Sequence, residues 1–342
     1  SLGGTHPTLA TRSKNGNDAT MTKPELLIAS PMMPMIEEQL DRHFTVERLY
    51  KAPDKDKLLA DFGPKVRALA ATPASKVDAA LMGKLPKLEI VSAFGVGYDS
   101  IDAKWAGGQG IVVTNTPDVL NEEVADTALG LLLATVRQFP QADRYVRAGK
   151  WKEKPFPLTV TLQDRTVGVV GMGRIGKAIA KRLEAFNTPV VYHSRNKAEG
   201  VSYKHYPDLK QMAKDVDVLI VITPGGAATK HLINKEVLEA LGPNGIVINV
   251  ARGSVVDERA LIEALREQKI LSAGLDVFED EPNVPKELIE MDHVVLLPHV
   301  GSASVHCRNL MGQLVVDNLV AWANGKPPLT PVAETPWPPK RK

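Results

Sequence analysis

The strongest structural signal in this chain is Val167-Gly-Val-Val-Gly171-Met-Gly173-Arg-Ile-Gly176, a short β-prone run that leads into a G-x-G-x-x-G turn and then into a helical pattern. In such a turn the first glycine lets the chain reverse, the second lets the backbone approach a pyrophosphate, and the third lets the helix pack closely on the strand. The N-terminus of the helix then presents free N–H groups to the phosphates. Strand, glycines and helix occur in the required order, so this segment predicts a dinucleotide-binding turn rather than a merely tight strand-helix connection.

The residues after the next apolar run indicate which dinucleotide is preferred. A site for NAD carries an Asp or Glu about 20 residues after the turn, where it binds the ribose 2′-hydroxyl. Here Pro189-Val-Val-Tyr192 is followed by His-Ser194-Arg195-Asn-Lys197, with no acid before Glu199. An Arg fork and a Ser hydroxyl can bond a 2′-phosphate that a carboxylate would repel. We therefore predict NADP(H) as the preferred cofactor and NAD(H) as the second choice, against the alternative that Arg195 and Lys197 belong to an ordinary solvated loop.

Length and composition indicate a globular chain without a nucleic-acid or membrane partner. The 342 residues, 44% of them hydrophobic, are enough for two domains with real cores. The 42 Lys and Arg nearly balance the 40 Asp and Glu, so no basic field attracts nucleic acid or an anionic bilayer. No apolar run approaches the roughly 20 residues that span a membrane.

The single cysteine, Cys307, excludes an internal disulfide and agrees with a cytoplasmic location. We expect it to pack in a helix. The histidines lack metal-ligand spacing such as H-E-x-x-H, so we predict no metal.

The order of elements predicts an α/β fold with two Rossmann-like domains and parallel sheets. Because the nucleotide turn belongs to the second α/β series, the first series must form a separate domain, and the terminal helical pattern is expected to return to it. Ligands would then bind in the cleft between the domains. The predicted strands are at 26–29, 66–71, 88–91 and 111–114 and, after a long helical pattern at 122–147, at 167–170, 190, 216–222, 246–250, 271–276 and 294–297, before a helix at 304–324.

These elements set the expected domain limits. Residues 22–118 and 302–332 would form a discontinuous substrate domain, residues 119–301 an inserted NADP-binding domain, and residues 333–342 an irregular tail. Residues 1–21 are small and polar and lack the apolar core of a secretory signal. We expect them to lie outside the fold, as a cloning scar, an extension from a wrongly assigned start before Met21, or a transit peptide.

Three polar segments at predicted strand ends supply an anion clamp, an acid and a base. They are Asn249-Val-Ala-Arg252-Gly, Leu275-Asp276-Val-Phe-Glu-Asp-Glu281-Pro and Pro298-His299-Val-Gly301-Ser. Arg252 can clamp a substrate carboxylate. An imidazolium at His299, oriented by Glu281, can donate a proton to a ketone oxygen while hydride arrives from a nicotinamide. Taken singly, the three residues are also compatible with a capping cation, a turn acid and a structural histidine.

Together with the glycine turn, these segments resemble the signature blocks of the D-isomer-specific 2-hydroxyacid dehydrogenases, in order and spacing, over roughly residues 25–332. The resemblance implies that Arg252, Glu281 and His299 are catalytic. It also implies that backbone N–H groups of Ala93-Phe-Gly-Val96-Gly97-Tyr-Asp bind the substrate carboxylate, and that Asp276 faces the nicotinamide unless it only caps a turn. The implied cofactor-binding residues are Gly171, Gly173, Arg174, Ile175, Gly176, Ser194, Arg195, Thr223, Val250, Asp276 and Gly301.

Within that family, Tyr192-His-Ser-Arg195, Gly149-Lys-Trp151 and the block at 294–302 are most similar to NADPH-dependent glyoxylate/hydroxypyruvate reductases. The resemblance implies reduction of small 2-keto acids to 2-hydroxy acids, with His299 as proton donor. The alternatives are a reductase of aromatic pyruvates such as hydroxyphenylpyruvate and a non-catalytic nucleotide-sensing binding protein. The resemblance also implies a homodimer in which residues 150–157 reach the second subunit, against the alternative of a surface loop.

Overall fold

Two parallel sheets organise the chain. The computed structural model describes residues 23–339, and the predicted leader at 1–21 lies outside this range. The strands are β1 (Glu25–Ile28), β2 (Thr45–Arg48), β3 (Ala68–Ala71), β4 (Ile90–Ala93), β5 (Val112–Thr114), β6 (Val167–Val170), β7 (Val190–His193), β8 (Lys204–Tyr206), β9 (Val218–Val221), β10 (Ile246–Asn249), β11 (Ser272–Leu275) and β12 (Val295–Leu296).

Helices connect the strands and cover the sheets. They are α1 (Pro34–His43), α2 (Lys55–Phe62), α3 (Ala79–Gly83), α4 (Ala103–Gly108), α5 (Asn121–Arg137), α6 (Phe139–Arg147), α7 (Arg174–Ala185), α8 (Leu209–Asp215), α9 (Lys235–Leu241), α10 (Glu258–Arg266), α11 (Lys286–Ile289) and α12 (Val305–Ala323).

The strand order confirms the predicted fold class. The first sheet runs β2-β1-β3-β4-β5 and the second runs β12-β11-β10-β9-β6-β7-β8, with parallel pairing throughout. In the second sheet the order reverses at β6, which lies between β7 and β9. The crevice beyond the carboxyl end of such a switch-point strand is where open parallel sheets bind ligands. The glycine turn therefore leaves its sheet at the position where a dinucleotide is expected.

Two strands, β2 and β8, were not predicted, and both lie at sheet edges. Residues of β2 alternate between exposed and partly buried positions, and β8 reads Lys-His-Tyr. An edge strand pairs on one side only, so it carries a weaker apolar pattern than the fully buried strands β3, β4, β6, β9 and β10.

The long helical pattern predicted at 122–147 forms two helices rather than one, because the chain breaks at Gln138. Gln138 has a left-handed φ of 53° and ends α5, and Pro140 lies in the first turn of α6. Proline has no N–H to donate to the preceding turn, and its ring clashes there, so a helix stops before it. Helix α5 itself packs between α7 and the second sheet and forms part of the largest core.

The terminal helix α12 returns to the first sheet, as predicted. Ser304 caps it by accepting a 3.0 Å hydrogen bond from the N–H of Cys307, which is buried. The helix packs against α1 and β4, where Ser92 Oγ donates to the carbonyl of Val315 at 3.3 Å.

The chain after α12 also stays on the first sheet. Pro331 pairs with Thr114, and the N–H of Val113 donates to Thr335 Oγ1 at 2.8 Å. The described tail residues, 333–339, form turns and bends. We propose that the two sheets correspond to a substrate domain at 22–118 and 302–332 and a nucleotide-binding domain at 119–301.

Candidate active site

A cleft of about 1750 Å³ lies where the carboxyl ends of the two sheets face each other. One wall comes from the loops that follow β1, β3 and β4, and the other from the loops that follow β6, β7, β9, β10, β11 and β12. The residues predicted from the sequence for cofactor binding and catalysis line this cleft, as do residues 94–97 of the segment predicted to bind the substrate carboxylate. The structure thus brings them together from distant parts of the chain.

The three glycines of the turn are required for different physical reasons. Gly171 has a φ of +107°, which side chains rarely adopt, and a Cβ on Gly176 would overlap the carbonyl oxygen of Gly171. In contrast, Gly173 has an ordinary φ of −78°, and a Cβ there would meet no protein atom within 4 Å. No contact within the described chain therefore requires glycine at position 173. The open space above it fits a ligand that must come close to the backbone.

The start of α7 is suited to an anion. Gly173 is its N-cap residue, and no side chain caps the first turn. The unpaired N–H groups and the positive end of the helix dipole favour negative charge there. This end of the cleft can hold a pyrophosphate.

The loop after β7 is suited to a 2′-phosphate. Ser194 and Arg195 line the cleft, whereas Lys197 does not. Ser194 Oγ donates to the carbonyl of Asn196 at 2.6 Å, and the Ser194 carbonyl accepts from His205 at 2.9 Å. These bonds give the loop a defined shape beside the cleft. Arg195 forms no ion pair with an acid of the described residues, so its guanidinium is available to a phosphate.

A histidine and a glutamate form a hydrogen-bonded pair in the cleft. Nδ1 of His299 lies 2.7 Å from Oε2 of Glu281, and Oε1 of Glu281 accepts a 3.0 Å bond from the N–H of Phe278. Burial acts to raise the pKa of Glu281, but the bonds from His299 and Phe278 and the charges of His299 and Arg252 outweigh it and lower the pKa below its usual value. Glu281 is therefore ionised at neutral pH. It holds Nδ1 of the imidazole, which leaves Nε2 for a proton transfer in the cleft.

The buried carboxylate of Asp276 fixes the turn that carries His299. His299 has a left-handed φ of 54°, and its N–H donates to the Asp276 carbonyl at 2.9 Å. The Asp276 carboxylate accepts from the N–H groups of Val300 at 2.7 Å and Gly301 at 2.8 Å. The side chain of Asp276 lines the cleft but is only 2% exposed, and burial raises its pKa. The structure thus shows the turn-capping role that the sequence left open for Asp276.

Arg252 reaches across the cleft from the end of β10. Its Nη1 donates to the carbonyl of Ala251 at 2.8 Å, and its Nε donates to Oδ1 of Asp99 at 3.2 Å. Asp99 follows β4 of the first sheet, and Arg252 follows β10 of the second, so this ion pair connects the two walls of the cleft. A Cβ on Gly97 would overlap the guanidinium, and a Cβ on Gly225 would lie 2.9 Å from Arg252 Cγ. Both glycines leave room for the arginine.

The segment after β4 forms an anion site beside this guanidinium. The N–H groups of Val96 and Gly97 donate to no atom of the described residues, and both residues line the cleft next to Arg252. Free N–H groups and a guanidinium together suit a carboxylate. Sequence reasoning missed the part played by Asp99, although this acid lies two residues beyond Gly97 in the segment identified as substrate-binding.

Neither a metal centre nor a membrane segment is evident in residues 23–339. No group of three or more His, Cys, Asp or Glu side chains in that range is arranged to hold a metal ion. No helix in the same range is long and apolar enough to cross a membrane.

The chain is similar to known proteins over most of its length. Residues 129–301 match the family described as D-isomer specific 2-hydroxyacid dehydrogenase, NAD binding domain. The chain is 48% identical over 307 residues to glyoxylate/hydroxypyruvate reductase A of Arabidopsis thaliana, covering 90% of this chain and 98% of that one. It is 46% identical to hydroxyphenylpyruvate reductase of Plectranthus scutellarioides, again over 90% of this chain and 98% of the relative.

A solved structure has a similar fold over most of this chain. The NADPH-dependent glyoxylate/hydroxypyruvate reductase of Sinorhizobium meliloti, in complex with NADP and malonate, is 49% identical and has a TM-score of 0.87 over 94% of this chain and 99% of that one. This chain belongs to the D-isomer specific 2-hydroxyacid dehydrogenase family of oxidoreductases. The resemblance stated from the sequence motifs is confirmed.

The different roles of the glycines can be tested by paired substitutions. Gly173→Ala should change the free energy of unfolding by less than about 1 kcal/mol, because the new Cβ meets no protein atom. The same change should weaken NADPH binding at least about tenfold, because the methyl group occupies space that the pyrophosphate needs. Urea unfolding and a fluorescence titration with NADPH measure the two effects.

Gly176→Ala is the matched control, since it should cost about 1–3 kcal/mol or more of stability even without cofactor. A Gly173→Ala protein that binds NADPH as tightly as the wild type would contradict the assignment of this turn.

Proposed function

We propose that this protein reduces small 2-keto acids, first of all glyoxylate and hydroxypyruvate, to 2-hydroxy acids by hydride transfer from NADPH. The observation that carries the proposal is the His299–Glu281 pair and the Arg252 anion site in one cleft with the glycine turn. The names of the reductases from Arabidopsis and Sinorhizobium support the substrate class and the cofactor.

Each catalytic role follows from the contacts of the side chain. The substrate carboxylate would bind the free N–H groups of Val96 and Gly97 and the guanidinium of Arg252. Arg252 would also polarise the ketone, and His299 would give its proton to the oxygen as the alkoxide forms. The carboxylate of Glu281 stabilises the imidazolium before the transfer. The glycine turn and the loop at 194–195 would hold NADPH, which would supply the hydride when bound.

A small carboxylate substrate also agrees with the complexes of the Sinorhizobium reductase, which hold malonate or citrate.

A second candidate function is the reduction of aromatic pyruvates. The relative from Plectranthus is a hydroxyphenylpyruvate reductase, and Met32, Met33, Phe94 and Met311 give this cleft an apolar wall that can accept a ring. A nucleotide-sensing binding protein would not need the intact Arg252, Glu281 and His299 set.

We also propose a cytoplasmic homodimer. The chain after α6 carries exposed apolar side chains, with Trp151 68% exposed and Leu158 fully exposed. Monomers rarely leave such groups together in contact with water, and a second copy of the chain would cover them. The cytoplasmic location is supported by the single buried cysteine.

The catalytic proposal predicts a graded series of losses. Arg252→Ala should nearly abolish turnover of glyoxylate, because it removes the anion clamp and the polarising charge. His299→Ala should lose about 10²–10⁴-fold in kcat, which is the usual contribution of general acid catalysis. Glu281→Gln should lose less, since the amide can still hold the ring but supplies no charge. Steady-state kinetics measures the series, with NADPH affinity as the control for folding. Near wild-type turnover by Arg252→Ala would remove that residue from the mechanism.

The cofactor proposal predicts an asymmetric effect at Arg195. Arg195→Ala should raise KM for NADPH by about tenfold or more and leave KM for NADH nearly unchanged, because only NADPH carries the 2′-phosphate. Lys197→Ala is the matched control, since this cation belongs to the same loop but does not line the cleft. Equal losses for the two cofactors, or an equal effect of Lys197→Ala, would refute the 2′-phosphate assignment.

The dimer proposal predicts that charge in the exposed segment separates the subunits. Leu158→Asp should shift the sedimentation coefficient from that of a dimer to that of a monomer, because a buried carboxylate without a partner is costly at an interface. A wild-type protein that sediments as a monomer would show that this segment is a surface loop.

A further inference from the structure

Arg308 lines the cleft, and the proposed mechanism does not use its positive charge. It lies in the first turns of α12, is partly buried, and lines the cleft with Arg252 and His299. Its guanidinium carbon is 5.4 Å from the centroid of the Phe94 ring. Within residues 23–339 no carboxylate forms an ion pair with Arg308, whereas Arg252 pairs with Asp99. A guanidinium that is partly withdrawn from water in this way is ready to bond a ligand oxygen.

The position of Arg308 relates it to the substrate rather than to the cofactor. Phe94, over which the Arg308 guanidinium lies, is two residues before Val96. The N–H groups of Val96 and Gly97 donate to no atom of residues 23–339. The loop at 302–304 lines the cleft and joins the His299 turn to α12. The side chain of Arg308 therefore contacts the segment that contains the anion site, and its helix follows the loop that begins at the His299 turn.

The substituents of the reacting carbon define what Arg308 would meet. In the proposed function the carboxylate of a 2-keto acid binds at the anion site of Val96, Gly97 and Arg252. Its ketone oxygen then faces His299 and the guanidinium of Arg252. The remaining substituent must then face the remaining wall of the substrate side. That wall is formed by Met32, Met33, Ile36, Phe94 and Met311, together with Arg308.

Arg308 is the charged side chain of this otherwise apolar wall. A hydrogen or methyl substituent gains nothing from a guanidinium, whereas a hydroxyl or carboxylate oxygen can accept one or two of its N–H groups. We propose that Arg308 is a specificity-determining residue that selects 2-keto acids with an oxygen-bearing side chain, such as the hydroxymethyl group of hydroxypyruvate. This inference rests on the proposed function.

The test uses three substrates that differ only in the side chain. They are glyoxylate (hydrogen), pyruvate (methyl) and hydroxypyruvate (hydroxymethyl), each assayed with NADPH. The variant is Arg308→Met, because the thioether can keep the contact with the Phe94 ring while the charge and the donors are lost. Arg308→Lys keeps the charge without the fork. Asn309→Met is the matched control, since Asn309 is exposed on the same helix and does not line the cleft.

We expect the wild type to prefer hydroxypyruvate over pyruvate. Arg308→Met should lower kcat/KM for hydroxypyruvate by about 10- to 100-fold, as expected for a lost hydrogen bond from a charged donor. The same variant should keep kcat/KM for glyoxylate and pyruvate within about threefold of the wild type, because neither substrate has an oxygen to bond. Arg308→Lys should keep part of the preference, and Asn309→Met all of it.

Two results would overturn the assignment while glyoxylate is still reduced by the wild type. One is a kcat/KM for hydroxypyruvate in Arg308→Met that stays within about threefold of the wild type, as for pyruvate. The other is an equal loss for all three substrates, which would mean that Arg308 supports the loop only by packing. A wild type that reduces none of the three would instead remove the proposed function, and this inference with it.

Discussion

Parallel strand register is the constraint on which the site depends. Val170 pairs with Val221, Val221 with Asn249, Asn249 with Leu275, and Leu275 with Leu296, so the central strands of the second sheet end at one edge. The segments that follow these strands must therefore lie side by side. They are the glycine turn after β6, the loop with Arg252 after β10, the loop with Asp276 and Glu281 after β11, and the turn with His299 after β12. The carboxyl edge of the first sheet faces them and adds the segment after β4. Residues from distant parts of the chain line one cleft because the loops that carry them follow the carboxyl ends of parallel strands in the two sheets.

Three carboxylates then orient the reactive side chains, two from the loop after β11 and one from the loop after β4. Asp276 holds the backbone of the His299 turn, Glu281 holds its imidazole, and Asp99 holds the guanidinium of Arg252. Glu281 and Asp99 each restrict a side chain that has several rotamers. Asp276 stabilises a turn in which His299 has a left-handed φ of 54°. Such preorganisation places donors where charge develops during the reaction, so little reorganisation remains for the chemical step.

Sequence reasoning succeeded where a local pattern has one structural meaning. Strands buried on both faces appear as apolar runs, and Gly171, Gly173 and Gly176 have a spacing that few other structures need. Reasoning failed where geometry depends on distant contacts. The edge strands β2 and β8 have no apolar run, and the break at Gln138 required more weight for Pro140. The ion pair of Asp99 with Arg252 joins residues 153 positions apart. For Asp276 the sequence left turn capping as one of two alternatives, and the capping bonds come from Val300 and Gly301. Arg308 belongs to an ordinary helical pattern that no motif marks.

The central claim is that one cleft joins an NADPH site to a catalytic set for small 2-keto acids. Its most direct test is the loss of reduced nicotinamide absorbance in the wild-type enzyme, with NADPH or NADH against glyoxylate, hydroxypyruvate and hydroxyphenylpyruvate, alongside a binding titration with NADPH. The account predicts the highest kcat/KM for NADPH with a small keto acid. Tight NADPH binding without turnover of any of these acids would contradict it and would favour a nucleotide-sensing protein.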